Sequence, residues 1–252
     1  MCLYEDMGGI VDMVEQEMLY EGKAKRIFST DNPEIVRVEY KDSATAFNGE
    51  KKAEIAGKGR LNNAITSLLF SKLMETGIET HFVEKTSDLE QLVKRVTIVP
   101  IEVVVRNIVA GSLSKRMGLD EGAELVKPII EFYYKRDDLG DPIINEDHIA
   151  ALKLATTKDL EIIREIALRV NDVLVVHFNE CNVRLVDFKL EFGKLNDGTI
   201  LLADEISPDT CRLWDKETNA KFDKDVFRRD LGNLTDGYEE ILKRLGGLSC
   251  SK

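Results

Sequence analysis

The sequence predicts an α+β fold in two lobes, antiparallel sheets flanked by helices, and three observations carry the prediction. Segments that alternate apolar and polar residues recur along most of the chain, which is the period of half-buried strands. Two longer segments place apolar residues three and four apart, the period of a helix with one buried face. Between the strands stands Val99-Pro100, and because proline cannot donate to a sheet ladder this junction divides the chain into lobes at residues 1–98 and 99–252. A chain of 252 residues is long enough to bury a core of its own, and by length alone could be one large domain or two lobes.

Residues 1–17 are acidic, methionine-rich and weakly patterned, and no function attaches to them. In LYEGKAKRIFST, Gly22 precedes Lys23 and Lys25, which share one side of an extended segment. Such a stretch either closes over phosphates, the glycine admitting close backbone approach and the lysines neutralising charge, or is a solvated edge strand protected by its lysines. Residues 33–40 alternate as a strand. The polar stretch 41–63 reads as one long loop, in which Lys51, Lys52, Lys58 and Arg60 either attract an anion or simply meet water. A helix overlaps its end from about Asn62, its face made by Ile65, Leu68, Leu69 and Leu73 and its end marked by Gly77. Residues 80–83, 91–96 and 101–105 read as strands, the last buried and running straight into Arg106.

Ser112 is placed at the start of a short helix ending near Gly118, where its hydroxyl and the backbone N–H groups either meet an anion or serve an ordinary cap. A strand at 128–135 ends in a turn-rich loop carrying Lys135, Asp138 and Asp141, whose composition favours a solvated turn over a metal site. Thr157 is expected to cap a long helix with Ile162, Ile163, Ile166, Val170, Val173, Leu174 and Phe178 inward. Terminal helices near Phe227 and over 235–245 close the chain.

The most informative stretch is 186–215, VDFKLEFGKLNDGTILLADEISPDTCRLWD. Its period of two puts Asp187, Lys189 and Glu191 on one face and Val186, Phe188, Leu190 and Phe192 on the other. Asp197-Gly198 favours a two-residue type I′ turn, with 200–203 as the returning strand. Pairing Asn196 with Thr199 sets Glu191 directly opposite Asp204. Two carboxylates facing each other there repel, by up to about 3 kcal/mol at an effective dielectric near 20. A divalent cation reverses the sign, and magnesium takes one or two carboxylates plus phosphate oxygens and waters, so the pair beside Lys189 suggests a metal-nucleotide site. The competing reading is a hairpin with a solvated outer face, Lys189 offsetting its neighbours. A one-residue change of register would carry Asp204 to the other face.

A formal net charge of -11 argues against a general nucleic-acid or acidic-membrane surface. No Lys or Arg occurs before Lys23 and no apolar run approaches a membrane span, so neither a signal peptide nor an anchor is expected. Cys2, Cys181, Cys211 and Cys250 lack metal-ligand spacing, which fits reduced thiols in a cytoplasmic protein, with Cys181 and Cys211 as packing residues. His81, His148 and His177 lack the spacing of a zinc site.

The blocks YEGKAK, ATAFNGEK, GKGRLNN, VVVRNIVAGSLSKR, VDFKLEFG and ADEISPDTCRLWDKET, in that order, resemble the SAICAR synthetase family of purine biosynthesis, and the likeness runs from Leu19 to Leu245. The resemblance implies an ATP-grasp-like fold with ATP between the lobes, the first lobe covering its phosphates and the second carrying metal and substrate sites. It also implies the reaction: ATP, carboxyaminoimidazole ribonucleotide (CAIR) and L-aspartate give the succinocarboxamide SAICAR, ADP and phosphate through an acyl phosphate. By the same resemblance Lys23 and Lys25 match the phosphate-side lysines, Glu191 and Asp204 the Mg2+ carboxylates, and Arg106, Ser112 and Arg212 the residues that hold the ribonucleotide. Lys189 extends the nucleotide site, and Lys135 and Asp209 the substrate side, with Asp209 a candidate base for the aspartate amine.

Asn48-Gly49 departs from the Asp-Gly of other members, which puts a catalytic carboxylate there in doubt. The chain ends soon after its last helix, without room for the fused carboxylase domain of bifunctional relatives, so a monofunctional enzyme is expected, homo-oligomeric with a dimer favoured. Two rivals stand beside the ligase: a kinase-like phosphotransferase acting on a small phosphorylated metabolite, and a nucleotide-binding regulatory module without turnover.

Overall fold

Antiparallel pairing joins every named strand, as the alternating segments require, in a computed structural model that describes residues 17–46 and 50–247. The weakly patterned start before Glu17, Asn48-Gly49, Cys2 and Cys250 lie outside the described residues. A five-stranded sheet is ordered β1 (Met18–Glu21), β2 (Lys25–Ser29), β3 (Ile35–Tyr40), β7 (Glu90–Lys94) and β6 (Phe82–Lys85). A six-stranded sheet is ordered β10 (Ile143–Ile144), β9 (Glu124–Tyr134), β8 (Thr97–Ile108), β11 (Val183–Lys194) and β12 (Ile200–Ala203), with β13 (Cys211–Asp215) also paired to β11. The stretch read as one long loop instead folds into a hairpin of β4 (Ser43–Ala46) and β5 (Lys51–Glu54), followed at once by helix α1 (Lys58–Glu75). Asp42 starts that helix by accepting from the N–H groups of Gly57 and Gly59.

Helix α1 buries Leu61, Ile65, Leu69, Phe70 and Leu73, while Leu68 sits at its exposed edge. Further helices are α2 (Gly111–Met117), α3 (Glu146–Ala151), α4 (Thr157–Glu180), α5 (Asp225–Arg228) and α6 (Leu234–Arg244). On α4 the fully buried line is Leu160, Ile163, Ala167, Val170, Leu174 and Phe178, with Ile162, Ile166 and Val173 flanking it. Its cap is Thr156 rather than Thr157, because Thr156 and Asp159 satisfy each other's backbone N–H groups in a capping box. Helices α1, α3, α4, α5 and α6 and the inner faces of β8, β11 and β13 share one core, in which Cys211 is buried and against which Cys181 packs; a smaller core of Val36, Val38, Tyr40 and Val93 lies on the first sheet.

Two departures from the expected pattern shape the site. Strand β8 runs unbroken through Pro100, which sits where the pairing with β11 jumps from Glu102 opposite Glu191 to Ile98 opposite Gly193, an irregularity that tolerates a missing donor. The chain therefore passes between the sheets at Arg95 and Val96, and α1, although early in sequence, packs into the core beneath the second sheet. The β11–β12 hairpin has a three-residue loop, not the two-residue turn: Leu195 N–H donates to Thr199, Gly198 N–H donates to Leu195, and Gly198 is left-handed at φ +89. Asp197 accepts from the Thr199 N–H and so favours this longer turn. The register moves by one residue, setting Glu191 opposite Ala203 and leaving Asp204 just past the strand end with φ 59.

Candidate active site

One face of the second sheet carries its charges in rows fixed by register. Asp187 on β11 lies between Arg106 on β8 and Arg212 on β13. Farther along β11, Glu191 lies opposite Glu102 of β8, with Lys189 midway between Asp187 and Glu191. At about 3.3 Å per residue the two acidic rows stand about 13 Å apart. Asp187 and Glu191 are both buried, so these acids are not on a plainly solvated outer face.

At the Glu191 end, lysines offset the acids. Lys189 Nζ is 2.5 Å from Glu191, 3.0 Å from Glu102 and 3.9 Å from Asp204. Lys135 donates to the same Glu191 oxygen at 2.8 Å, so it stands with the nucleotide-side carboxylates rather than beside Arg106 and Arg212. From the first sheet, Lys25 reaches Asp204 at 2.5 Å and Glu205 at 3.0 Å. Glu191 and Asp204 thus converge on Lys189, although by a route other than the expected pairing: the left-handed backbone at Asp204 turns its side chain back toward Lys189. Burial pulls the Lys25 ammonium down, but Asp204 and Glu205 outweigh it and hold Lys25 above lysine's ordinary range. Burial likewise opposes ionisation of Asp204, and Lys25 and Lys189 overcome it, keeping that carboxyl well below its usual range. Lys23 is more exposed and donates to Asp137 at 2.6 Å.

At the other end the arginines are held rigidly. Arg106 donates to Glu131 at 2.7 Å, Asp187 at 2.6 Å, Ser112 at 3.1 Å and Tyr133 at 3.2 Å, which leaves it nearly saturated. Ser112 lies inside the first turn of α2, whose cap is Ala110, and its hydroxyl accepts from both Arg106 and Arg116. Arg212 donates to Asp187 at 2.8 and 3.0 Å and to Asp225 at 3.1 Å. Burial raises the Asp225 carboxyl, but Arg212 and Arg228 pull it down to about 2. Neighbouring Asp223 goes the other way, pushed up to about 7 by burial and by the charge of Asp225.

Asp209 joins the two ends. Its carboxylate lies 2.7 Å from Lys58 and 3.6 Å from Lys224, and accepts from the Tyr238 hydroxyl at 2.5 Å. Burial works against its charge, but the two lysines prevail and hold it well below the usual carboxylate range, so it is a weak proton acceptor. A cleft of about 400 Å³ is lined by Lys23, Lys25, Lys135, Lys189, Asp204 and Asp209 among others. An adjoining hollow of about 170 Å³ is lined by Arg106, Asp187 and Arg212, and Lys189, Asp209, Thr210 and Arg228 line both. All the expected residues except Ser112 therefore line or directly support these spaces, Glu191 through its lysines, and Ser112 touches Arg106.

Lys58, expected either to attract an anion or to meet water, is instead buried against Asp209, and sequence reasoning missed Glu102, Lys224 and Arg228. Only Glu102 had a legible signal, since it alternates with Val104 and Arg106 on the face opposite Val103 and Val105.

Cations and carboxylates gathered into joined hollows, with hard oxygen donors at one end and paired arginines at the other, have the chemistry of a site for small anionic molecules. The sequence pattern of SAICAR synthetase matches residues 18–245. A phosphoribosylaminoimidazole-succinocarboxamide synthase from Bacillus cytotoxicus is 69% identical over 237 residues, covering 94% of this chain and 99% of that relative. The crystal structure of the corresponding synthase from Ehrlichia chaffeensis superposes with a TM-score of 0.90 at 50% identity, over 92% of this chain and 99% of that one. A SAICAR synthetase solved in complex with ADP gives a TM-score of 0.88 at 49% identity, over 93% and 98% of the two chains. The chain belongs to the SAICAR synthetase family. These likenesses do not favour a kinase-like phosphotransferase. Among the described residues no helix is long and apolar enough to cross a membrane.

Proposed function

We propose that the chain is an ATP-dependent ligase that joins L-aspartate to the carboxylate of CAIR, giving SAICAR, ADP and phosphate in purine biosynthesis. The observation that carries this reading is the 69% identity to a synthase of that name over 99% of its length. A relative solved with ADP supports the nucleotide, and the cleft between the sheets supports an ATP-grasp-like use of the two lobes, the first over the phosphates.

A carboxylate does not condense with an amine unaided at neutral pH, so activation is the chemical problem. An oxygen of the CAIR carboxylate attacks the γ-phosphorus of ATP and ADP leaves, forming an acyl phosphate. The aspartate amine then attacks the acyl carbon, loses a proton, and phosphate departs with the attacking oxygen. Lys23, Lys25 and Lys189 neutralise the phosphates, with Lys135 beside them through Glu191. Arg212 and Ser112 orient the ribonucleotide, and Arg106 fixes both Asp187 and Ser112. Asp209 serves by orienting Lys58 and Lys224 rather than by taking the amine proton, because its partners hold it ionised and weakly basic.

Glu191 and Asp204 fit a magnesium ion: both are hard oxygen donors, and Glu191 accepts from Lys135 and Lys189 through a single oxygen, Oε1. Held there, magnesium would supply charge neutralisation on the nucleotide phosphates. The protein acts in the cytoplasm as a homo-oligomer, a dimer favoured. The mechanism is tested with CAIR labelled with 18O in its carboxylate: the phosphate released must carry one labelled oxygen, and unlabelled phosphate accompanying SAICAR would reject the acyl phosphate.

A further inference from the structure

Residues 79–81 stitch the two sheets together directly behind Asp204. Leu202 of β12 donates its N–H to Glu79 at 3.2 Å, and His81 donates its own N–H to Leu202 at 2.8 Å. On the other side Lys94, at the end of β7, donates to the His81 carbonyl at 2.6 Å. His81 is therefore tied by its backbone to a strand of each sheet. Its side chain is buried, packs edge-on against Phe70 of α1 with ring centroids 5.7 Å apart, and brings Nε2 to 3.2 Å from the Asp204 carbonyl. A carbonyl oxygen only accepts, so the imidazole nitrogen facing it carries the hydrogen.

Asp204 needs such a partner. It is a non-glycine residue at φ 59, a conformation that persists where the surroundings over-determine it. That backbone turn decides where the carboxylate points: to Lys25, which comes from the first sheet, and toward Lys189, which comes from the second. We propose that His81 is a positioning residue for the reaction, a buried post whose Nε2–H bond to the Asp204 carbonyl fixes the Asp204 carboxylate between lysines of the two sheets. The proposal rests on the reading of Asp204 as a nucleotide-side carboxylate.

The test is steady-state kinetics of the full chain, varying ATP and CAIR separately, with thermal melts as the folding control. His81→Phe keeps a ring against Phe70 and removes the donor; it is expected to raise the KM for ATP about fivefold, the scale of one hydrogen bond, and to leave the KM for CAIR within about twofold. His81→Gln restores an N–H donor and is expected to bring the KM for ATP back to within about twofold of the parent. An unchanged KM for ATP in folded His81→Phe, equal rises for both substrates, or a Gln variant as impaired as Phe would each overturn the proposal. If the Phe variant does not fold, the Gln variant decides alone: about a fivefold or larger rise in the KM for ATP overturns it. Asp204→Asn separates the two claims, since unchanged turnover there defeats the reading of the site, whereas lost turnover there with normal His81→Phe defeats only the role of His81.

Discussion

Replacing Gly111 with alanine disturbs the arginine end of the cleft without removing a charge. A Cβ at that position would stand 2.5 Å from Nη2 and 2.8 Å from Cζ of Arg212, inside van der Waals contact. The guanidinium cannot simply retreat, because Nη1 is bonded to Asp187 at 2.8 and 3.0 Å and Nε to Asp225 at 3.1 Å. Relief requires breaking at least one charge-assisted bond, worth about 1.5–3 kcal/mol. The left-handed backbone at Gly111, φ 54, adds about 1–2 kcal/mol of strain for any residue with a Cβ. If the bond loss appears in ribonucleotide binding, the KM for CAIR rises by roughly 10- to 100-fold, at about 1.36 kcal/mol per decade. Lys25, Lys189 and Asp204 do not contact this clash, so the KM for ATP should stay within about twofold. Arg212→Ala should show the same split. Steady-state kinetics with each substrate varied, beside a melting curve, reads the outcome. A folded Gly111→Ala enzyme with an unchanged KM for CAIR, or with equal rises for both substrates, refutes the assignment of Arg212 to the ribonucleotide.

Glu191→Gln and Asp204→Asn should each abolish ADP-linked ligation while leaving the circular dichroism spectrum native; near-normal turnover with magnesium would sink the metal assignment. Asp209→Asn should destabilise the fold by about 3 kcal/mol in urea titrations, because Lys58, with 0% of its side chain exposed, loses its close counter-charge; unchanged stability would contradict a counter-charge role for Asp209. Asp223, whose carboxyl is raised to about 7, holds its proton more tightly folded than unfolded. Its contribution to stability must therefore decline as pH rises from near 4, the ordinary carboxyl value, through 7. Relative to Asp223→Asn, the parent should lose melting temperature between pH 5 and pH 7.5, and parallel profiles would contradict the shift.

Much of this was legible because period and register are local properties of the chain. Alternation along β11 placed Asp187, Lys189 and Glu191 on one face before any partner strand was known. The same reasoning failed where a single residue of loop length mattered: Asp197-Gly198 suits a tight turn, yet the Asp197 side chain and a left-handed Gly198 make the longer loop. That slip removed Asp204 from the strand, and a backbone conformation unusual for aspartate returned its carboxylate to the cluster. Lys58 stood out only as a cation for an anion or for water, and Lys224 not at all, because their burial against Asp209 becomes visible only once distant parts of the chain meet. Lys135 lay at a recognisable strand end, but which row it would join depended on the packing of β9 against β8.

A coupled assay for ADP release, supplied with ATP, CAIR and a panel of amino acids, addresses the ligase reading most directly. ADP above slow uncoupled hydrolysis should form only when CAIR and L-aspartate are both present, with SAICAR in equal amount. Full-rate ADP production from CAIR alone, or none with both substrates present, would contradict it.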